Sequence, residues 1–309
     1  MFDKEVLQYK VGGLLYMPAF QKNIVQKIAE GKFPRLTSVA FCLEDSISDE
    51  SLEAAEASLK IILQKLGSLE RLPLVFVRIR SPRHLETFHE AIGSRSKILT
   101  GYILPKFDMS NAAAYLSLAR QINLPIMPTF ETNRISSLLT RRTELLSLKQ
   151  ILDESESLIL NIRVGVNDFC NLYSLRRNIN QTIYDLGIVR DVLIDILNIF
   201  AKDYVVAGSV WNFFSGKLWA EGLQRELALD KANGFIGKSA IHPAQLPIIF
   251  NAMKVSRTDF DDANQILNWQ SNTHGVMKSS DGSRMNEVKC HLNWARRIKI
   301  LAELYGVTK

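Results

Sequence analysis

Short apolar runs alternate along the chain with amphipathic stretches, repeating every 25 to 35 residues or so, the rhythm of successive strand–helix units. Eight runs read as strands, near residues 13–19, 38–44, 73–79, 100–106, 125–131, 158–167, 204–210 and 235–241. The intervening stretches carry helical periodicity. DESLEAAEASLKIILQKLG has an acidic first turn, which suits the helix dipole, and stops at Gly67. SNAAAYLSLARQI opens with Ser110 as its expected N-cap, and YDLGIVRDVLIDILNIFAKDY is apolar along one face. Eight strands, each followed by a helical stretch, predict an α/β protein built as a (β/α)8 barrel rather than an open doubly wound sheet.

Two segments exceed what a barrel requires. A polar insertion, NLYSLRRNINQT, follows Asp168, and loops of that length on a barrel's functional face shape its pocket. From about Val255 the chain continues through DFDDANQILNW, THGVMKSSDGSRMNEVK and a final helix, HLNWARRIKILAELYG. The predicted division is a barrel over 1–254 and a helical extension over 255–309, acting as a lid or a subunit contact.

The polar positions that punctuate this pattern are informative. Glu44 and Asp45 follow SVAFCL, Arg78 closes LPLVFV, Lys106 follows TGYILP, Glu131 follows LPIMPTF, Asp168 follows LILNIRVGVN, and His242 follows FIGKSAI. In a parallel barrel every strand's C-terminal end opens on one face, so these residues are expected to converge on one pocket. Glu131 and Asp168, on adjacent predicted strands, are the candidate ligands for a hard cation, Mg2+ or Mn2+. Helix capping is the structural alternative for each. Arg78 offers a fork of donors to a carboxylate or an enolate oxygen, or else pairs with Glu44 as a salt bridge. Asp45 either serves the site or caps the next helix. Lys106 is placed to contact substrate or neutralise the acids, and an acid-rich pocket keeps it protonated, against a Schiff-base role. His242 is balanced between structural and acid–base roles, and Arg176 and Arg177 between an anion clamp and a solvated loop.

Composition narrows the reading. The chain has 309 residues, 47% of them hydrophobic, enough for one barrel with an extension. No run is long enough to span a bilayer, and MFDKEVLQYK has no apolar signal-like core. Cys42, Cys170 and Cys290 lack paired or metal-type spacing, which points to free thiols and a cytoplasmic setting. The net charge of +6 is dispersed and without interleaved aromatics, so nucleic acid and membrane are not expected as partners. A small anionic metabolite, steered toward a cleft, is. No Walker A, GxGxxG or HExxH motif is present.

Taken in order, LLYMPAF, CLEDSISDE, VFVRIRSP, GYILPKF, IMPTFETNR, RVGVNDF and GFIGKSAIHPAQL resemble the HpcH/HpaI aldolase and citrate lyase β-subunit-like family. LYMPA, SLRRN, TIYD and MNEVK resemble its branch of C–C bond lyases associated with tellurium-resistance and stress gene clusters. The resemblance implies a TIM barrel, a Mg2+ ion and reversible aldol- or Claisen-type cleavage. It implies that Glu131 and Asp168 hold the metal, that Arg78 contacts the substrate carbonyl or carboxylate, and that Glu44 and Asp45 form the acidic pair behind the metal. A homo-oligomer, trimer or hexamer, is implied as well.

Two departures bear on coenzyme A. Where many relatives have a proline–glycine turn that receives the thioester, this chain has Pro18–Ala19. Where acyl-CoA lyases of the family carry a lid aspartate, it has Asn286 and Glu287, with Glu287 as the candidate replacement. The expected activity is Mg2+-dependent C–C cleavage or condensation, through a metal-stabilised enolate, of a small keto or hydroxy acid or its acyl thioester, the two departures counting against coenzyme A. The alternatives are a lyase or transferase on a phosphorylated or nucleotide-linked metabolite held by Arg176, Arg177 and Lys106, and a metabolite-binding barrel without turnover.

Overall fold

The computed structural model describes residues 4–20, 23–270 and 275–308. Thr273 and His274 of the predicted extension lie outside these residues. Seven parallel strands form the sheet: β1 (Gly13–Pro18), β2 (Ser38–Cys42), β3 (Leu74–Arg78), β4 (Gly101–Leu104), β5 (Ile126–Phe130), β6 (Arg163–Val164) and β7 (Lys238–Ala240). Each of β1 to β6 pairs with its sequence neighbour, and β7 pairs with β1. The extended segment 205–208 supplies the eighth stave. It bridges Ile162 to Val206 on one side and Gly208 to Lys238 on the other, and so closes the ring. Its amides and carbonyls are satisfied by both neighbours, with Ala207 N donating to Ile162 O at 2.8 Å and Ile236 N donating to Val206 O at 2.9 Å.

Alternation along each strand separates two cores. Leu14, Ala40, Phe76, Ile103, Met127 and Leu160 fill the barrel interior. Leu15, Val39, Phe41, Val75, Val77, Ile126 and Phe130 point outward into the layer beneath the helices. Going up the inward face, Phe76 is followed by Arg78 and Met127 by Thr129 and Glu131, with Arg163 of β6 paired in register with Thr129. The interior thus turns from apolar to charged toward the C-terminal ends of the strands.

Helix boundaries follow capping chemistry. The helix Leu52–Leu66 is entered through a 3-10 turn at Asp49–Ser51 and ends at Gly67, as expected. Pro82–Ile92 opens with Ser81 accepting from the His84 amide at 3.2 Å and a proline in its first turn. Ser110 does not cap Ala112–Ile122: its hydroxyl is taken by Asp108, and Asn111 stands at the cap position. The long apolar stretch after Tyr184 is helical only over Gly187–Phe200, because a capping box between Thr182 and Asp185 makes a separate turn first.

The extension forms its own small core. The helices Arg257–Leu267 and Val288–Tyr305 pack through Ala263, Ile266, Ala295 and Ile298, with an antiparallel hairpin of β8 (Val276–Lys278) and β9 (Met285–Glu287) beside them. Tyr305 donates its hydroxyl to Tyr9 O at 2.6 Å, and a Cβ on Gly12 would overlap that hydroxyl. Gly12 immediately precedes β1, so this contact lies at the N-terminal end of the barrel, opposite the charged strand ends. No helix among the described residues is long and apolar enough to cross a membrane.

Candidate active site

Six of the charged residues singled out in the sequence meet at the C-terminal ends of the strands. Arg78, the last residue of β3, is nearly buried and touches three carboxylates: Asp45 Oδ2 at 2.9 Å, Glu131 Oε1 at 2.9 Å and Glu44 Oε2 at 3.0 Å. Glu44 in turn accepts from Lys106 Nζ at 2.6 Å through its other oxygen. The Lys106 backbone takes a left-handed φ of 48°, which aims its amide at Glu131 Oε1, 2.8 Å away. Such strain in a residue with a Cβ persists where surrounding structure imposes it, and here Asn111 holds the Lys106 carbonyl at 2.8 Å. Asp168 lies on the same cavity wall as Glu131, close enough for each carboxyl to shift the other's ionisation.

Gly165 makes this approach possible. A Cβ at that position would overlap both the Glu131 carboxylate and the Glu131 Cβ. The glycine in RVGVND is therefore required by the site, a role not assigned to it from sequence.

The electrostatics are those of crowded acids. Burial, followed by the charge of Asp168, pushes the Glu131 carboxyl up to about 7 in spite of Arg78. Burial and the nearby charge of Asp45 also raise Asp168. Asp45, half exposed, is depressed: burial opposes ionisation, but Arg78 and Lys106 more than offset it. Arg78 and Lys106 are both raised, since the surrounding carboxylates outweigh the burial that disfavours their charged forms. Lys106 is thus fixed as an ammonium, in line with the expected absence of a Schiff-base role.

An open cavity of about 340 Å3 lies over this cluster. Asp45, Arg78, Glu131 and Asp168 line it, together with Tyr16, Pro18, Thr129, Arg163, Asn167 and Ser239. Glu44 and Lys106 stand behind this wall. Asp168 is not at a strand tip, as the apolar run predicted. β6 is only two residues long, and Asp168 sits in the first turn of the helix Val166–Leu172. Asp45 is not a helix cap either, because the following turn begins at Asp49.

Four further candidates fall elsewhere. Arg177 is no substrate clamp: it is buried in an ion pair with Glu226, donates to Val210 O at 2.8 Å and Asn212 Oδ1 at 3.0 Å, and lies over the Trp211 ring. Arg176 is exposed on the same loop and does not line the cavity. His242 accepts from the Ala244 amide at 3.2 Å and stacks on Phe214, a capping role, with its neighbour Ile241 on the cavity wall. Glu287 ends β9, accepts from Cys290 Sγ at 3.2 Å, and is remote from the cavity lining, as is every described residue of the extension. Within one chain the extension is not a lid over its own barrel.

The donor set suits Mg2+. Glu131 and Asp168 would hold the ion, whose charge would relieve two carboxylates crowded in a partly dry cavity, and oxygen ligands of this kind are the ones a hard cation takes. Among the described residues no group of three or more His, Cys, Asp or Glu forms an all-protein metal cage.

Comparison with known proteins agrees with this architecture. No curated protein matches the chain. A citrate lyase from Burkholderia xenovorans superposes with a TM-score of 0.71 at 16% identity, covering 96% of this chain and 93% of that one. CitE from Mycobacterium tuberculosis, solved with magnesium, acetoacetate and coenzyme A, gives 0.64 at 18% identity over 95% of this chain and 99% of its own. The citrate lyase β subunit of the same organism, solved with oxaloacetate and magnesium, gives 0.53 at 19% identity, over 79% of this chain and 98% of that one. At these identities the likeness establishes the fold. The profile of C–C bond lyases of the TIM-barrel fold matches residues 5–307, and the chain belongs to that family.

Proposed function

We propose that this lyase cleaves or forms a carbon–carbon bond in a small keto or hydroxy acid, with Mg2+ held by Glu131 and Asp168. The observation that carries the reading is the pair of burial-raised carboxylates on one cavity wall, with Glu131 2.9 Å from the Arg78 guanidinium. When bound, the ion supplies Lewis acidity toward a substrate oxygen. The chain's own groups do the rest. As the C–C bond breaks, its electron pair moves onto the carbonyl oxygen of the keto-acid fragment. Arg78, already fixed by three carboxylates, presents cationic donors to that developing charge without reorganising. Its Nε–H, which finds no acceptor within the protein, is the donor left over for substrate. Asp45 lines the cavity and its carboxyl pKa is lowered, so it is the base that takes the proton from the other fragment's hydroxyl during cleavage and delivers it to C3 of the enolate, and in condensation it removes the C3 proton and returns it to the new hydroxyl. Glu44 has both oxygens engaged and positions Arg78 and Lys106.

A free acid rather than a coenzyme A thioester is the favoured substrate. Pro18 lines the cavity and Ala19 is fully buried in the core, so a Cβ stands at the turn where a thioester-binding relative has bare backbone. The phosphorylated-metabolite alternative loses support, since Arg177 is committed to Glu226.

Proton–deuteron exchange at C3 of pyruvate and oxaloacetate, followed by NMR, tests the reading. Mg2+-dependent exchange by wild type is expected, with Asp45→Asn slower by roughly 100-fold or more. A wild-type protein that exchanges no small keto acid in Mg2+ would overturn it.

A further inference from the structure

One rung below the Glu131 layer, the barrel interior holds an arginine that the proposed chemistry does not use. Arg163 is 1% exposed and lines the floor of the cavity. One terminal nitrogen donates to Ser239 Oγ at 2.7 Å, and the guanidinium carbon lies 5.9 Å from the centre of the Tyr16 ring. Its Nε and Nη1 find no acceptor within the protein, and among the described residues no carboxylate pairs with it. Thr129, paired with Arg163 in the β5–β6 register, also lines the cavity and has a buried hydroxyl with no partner.

A buried guanidinium without a counter-ion is costly, and removing it in favour of an apolar side chain would ordinarily be neutral or favourable. The other buried cations differ in this respect. Arg78, Arg177 and Lys238 each face at least one carboxylate within 3 Å. Arg163 instead has two unspent donors and no carboxylate partner while lining the cavity, with the Thr129 and Ser239 hydroxyls on the same wall. Arg78, Arg163 and Tyr16 line the same cavity, so the two cations face a single compartment.

We infer that Arg163 is a second anion seat, and that the ligand of this cavity is a short dicarboxylate or keto-dicarboxylate. One acid group would lie at the Arg78–Glu131–Asp168 level and the other would descend to Arg163, Thr129 and Ser239. The inference rests on the proposed function for the upper end only, and the lower seat is read from Arg163 itself. A monocarboxylate of the same length leaves Arg163 unpaired, so selectivity for the second acid group is built into the barrel floor.

Calorimetric binding of malonate and succinate against propionate and butyrate, with Mg2+ and with EDTA, measures that selectivity without turnover. Wild type is expected to prefer the dicarboxylate of each pair by at least about tenfold, the worth of a hydrogen-bonded charge pair. Arg163→Met should lose the preference while keeping its affinity for monocarboxylates and a melting temperature no lower than wild type. A purely structural arginine would lower the melting temperature and leave the preference intact. Arg163→Lys, which keeps the charge without the fork, should fold and show a reduced preference, and it carries the test if the methionine variant does not fold. Equal dicarboxylate preference in wild type and the substituted protein overturns the inference, as does a wild type that binds no dicarboxylate at millimolar concentration. Glu131→Gln, run alongside, separates the two readings. Loss of metal binding there with the preference retained leaves Arg163 standing, while Glu131-independent metal binding counts against the upper site alone.

Discussion

Two of the barrel's buried ionic clusters differ in balance. The first joins Arg78 and Lys106 to Glu44, Asp45, Glu131 and Asp168, two cations against four carboxylates, and it opens on a cavity. The second joins Arg177 and Lys238 to Glu226 and Asp230, two against two. There Lys238 reaches Glu226 at 2.9 Å and Asp230 at 2.6 Å, and the Tyr184 hydroxyl and Ile183 amide satisfy the remaining oxygens at 2.7 and 2.8 Å. None of these four lines the strand-end cavity. The closed cluster locks the loop after the sixth strand, the helix Trp219–Asn233 and β7 to one another. With all four of its acids ionised, the open one is short of positive charge by two units, the charge of one divalent cation. Burial alone does not mark a site; an unmet charge facing a cavity does.

This contrast can be broken most forcefully at its structural end. Lys238→Met leaves two buried carboxylates without their shared cation and should cost about 3–5 kcal/mol in urea unfolding, with Mn2+ affinity of the remaining folded protein unchanged. Gly165→Ala acts on the open cluster instead. Its Cβ displaces Glu131, so Mn2+ affinity should fall by about tenfold or more, with a stability loss of about 1–3 kcal/mol from overpacking.

The pH dependence sharpens the same point. Glu131 must lose its proton to bind a cation, and its carboxyl sits at about 7 in the metal-free protein. Mn2+ affinity should therefore drop by up to about tenfold per pH unit below 7 and level off above it, with proton release measurable by calorimetry in buffers of different ionisation heat. A flat profile across that range contradicts the assignment. The smallest effect belongs to Lys106→Met. Its side chain is 52% exposed, so its pair with Glu44 is screened and should contribute under about 1 kcal/mol.

Much of the fold and the upper site was legible in the sequence for one reason: strand ends announce themselves where an apolar run stops at a charge. Arg78, Glu131, Glu44 and Asp45 all lie at such stops. Asp168 was found by the same rule although its strand had already ended, because the helix that follows begins two residues earlier. The rule fails where a charge lies inside a run. Arg163 in LILNIRVGV was read as part of a strand, yet Asn161, Arg163 and Gly165 alternate with Ile162 and Val164, the period-two signal of a polar inner face. Arg177 was misread for the opposite reason. A charge in a polar loop looks solvated, and nothing local reveals that Glu226, 49 residues on, comes to meet it. The placement of Glu287 likewise depends on the extension packing at the far end of the barrel, which no short-range pattern encodes.

The most direct test of the account is a calorimetric Mn2+ titration of wild type and Glu131→Gln, each with and without pyruvate or oxaloacetate. The account predicts wild-type binding that tightens with a keto acid, and a loss of at least about 100-fold in Glu131→Gln, beyond what removal of an outer-shell partner costs. Mn2+ binding of equal strength in the two proteins, or none in either, would contradict it.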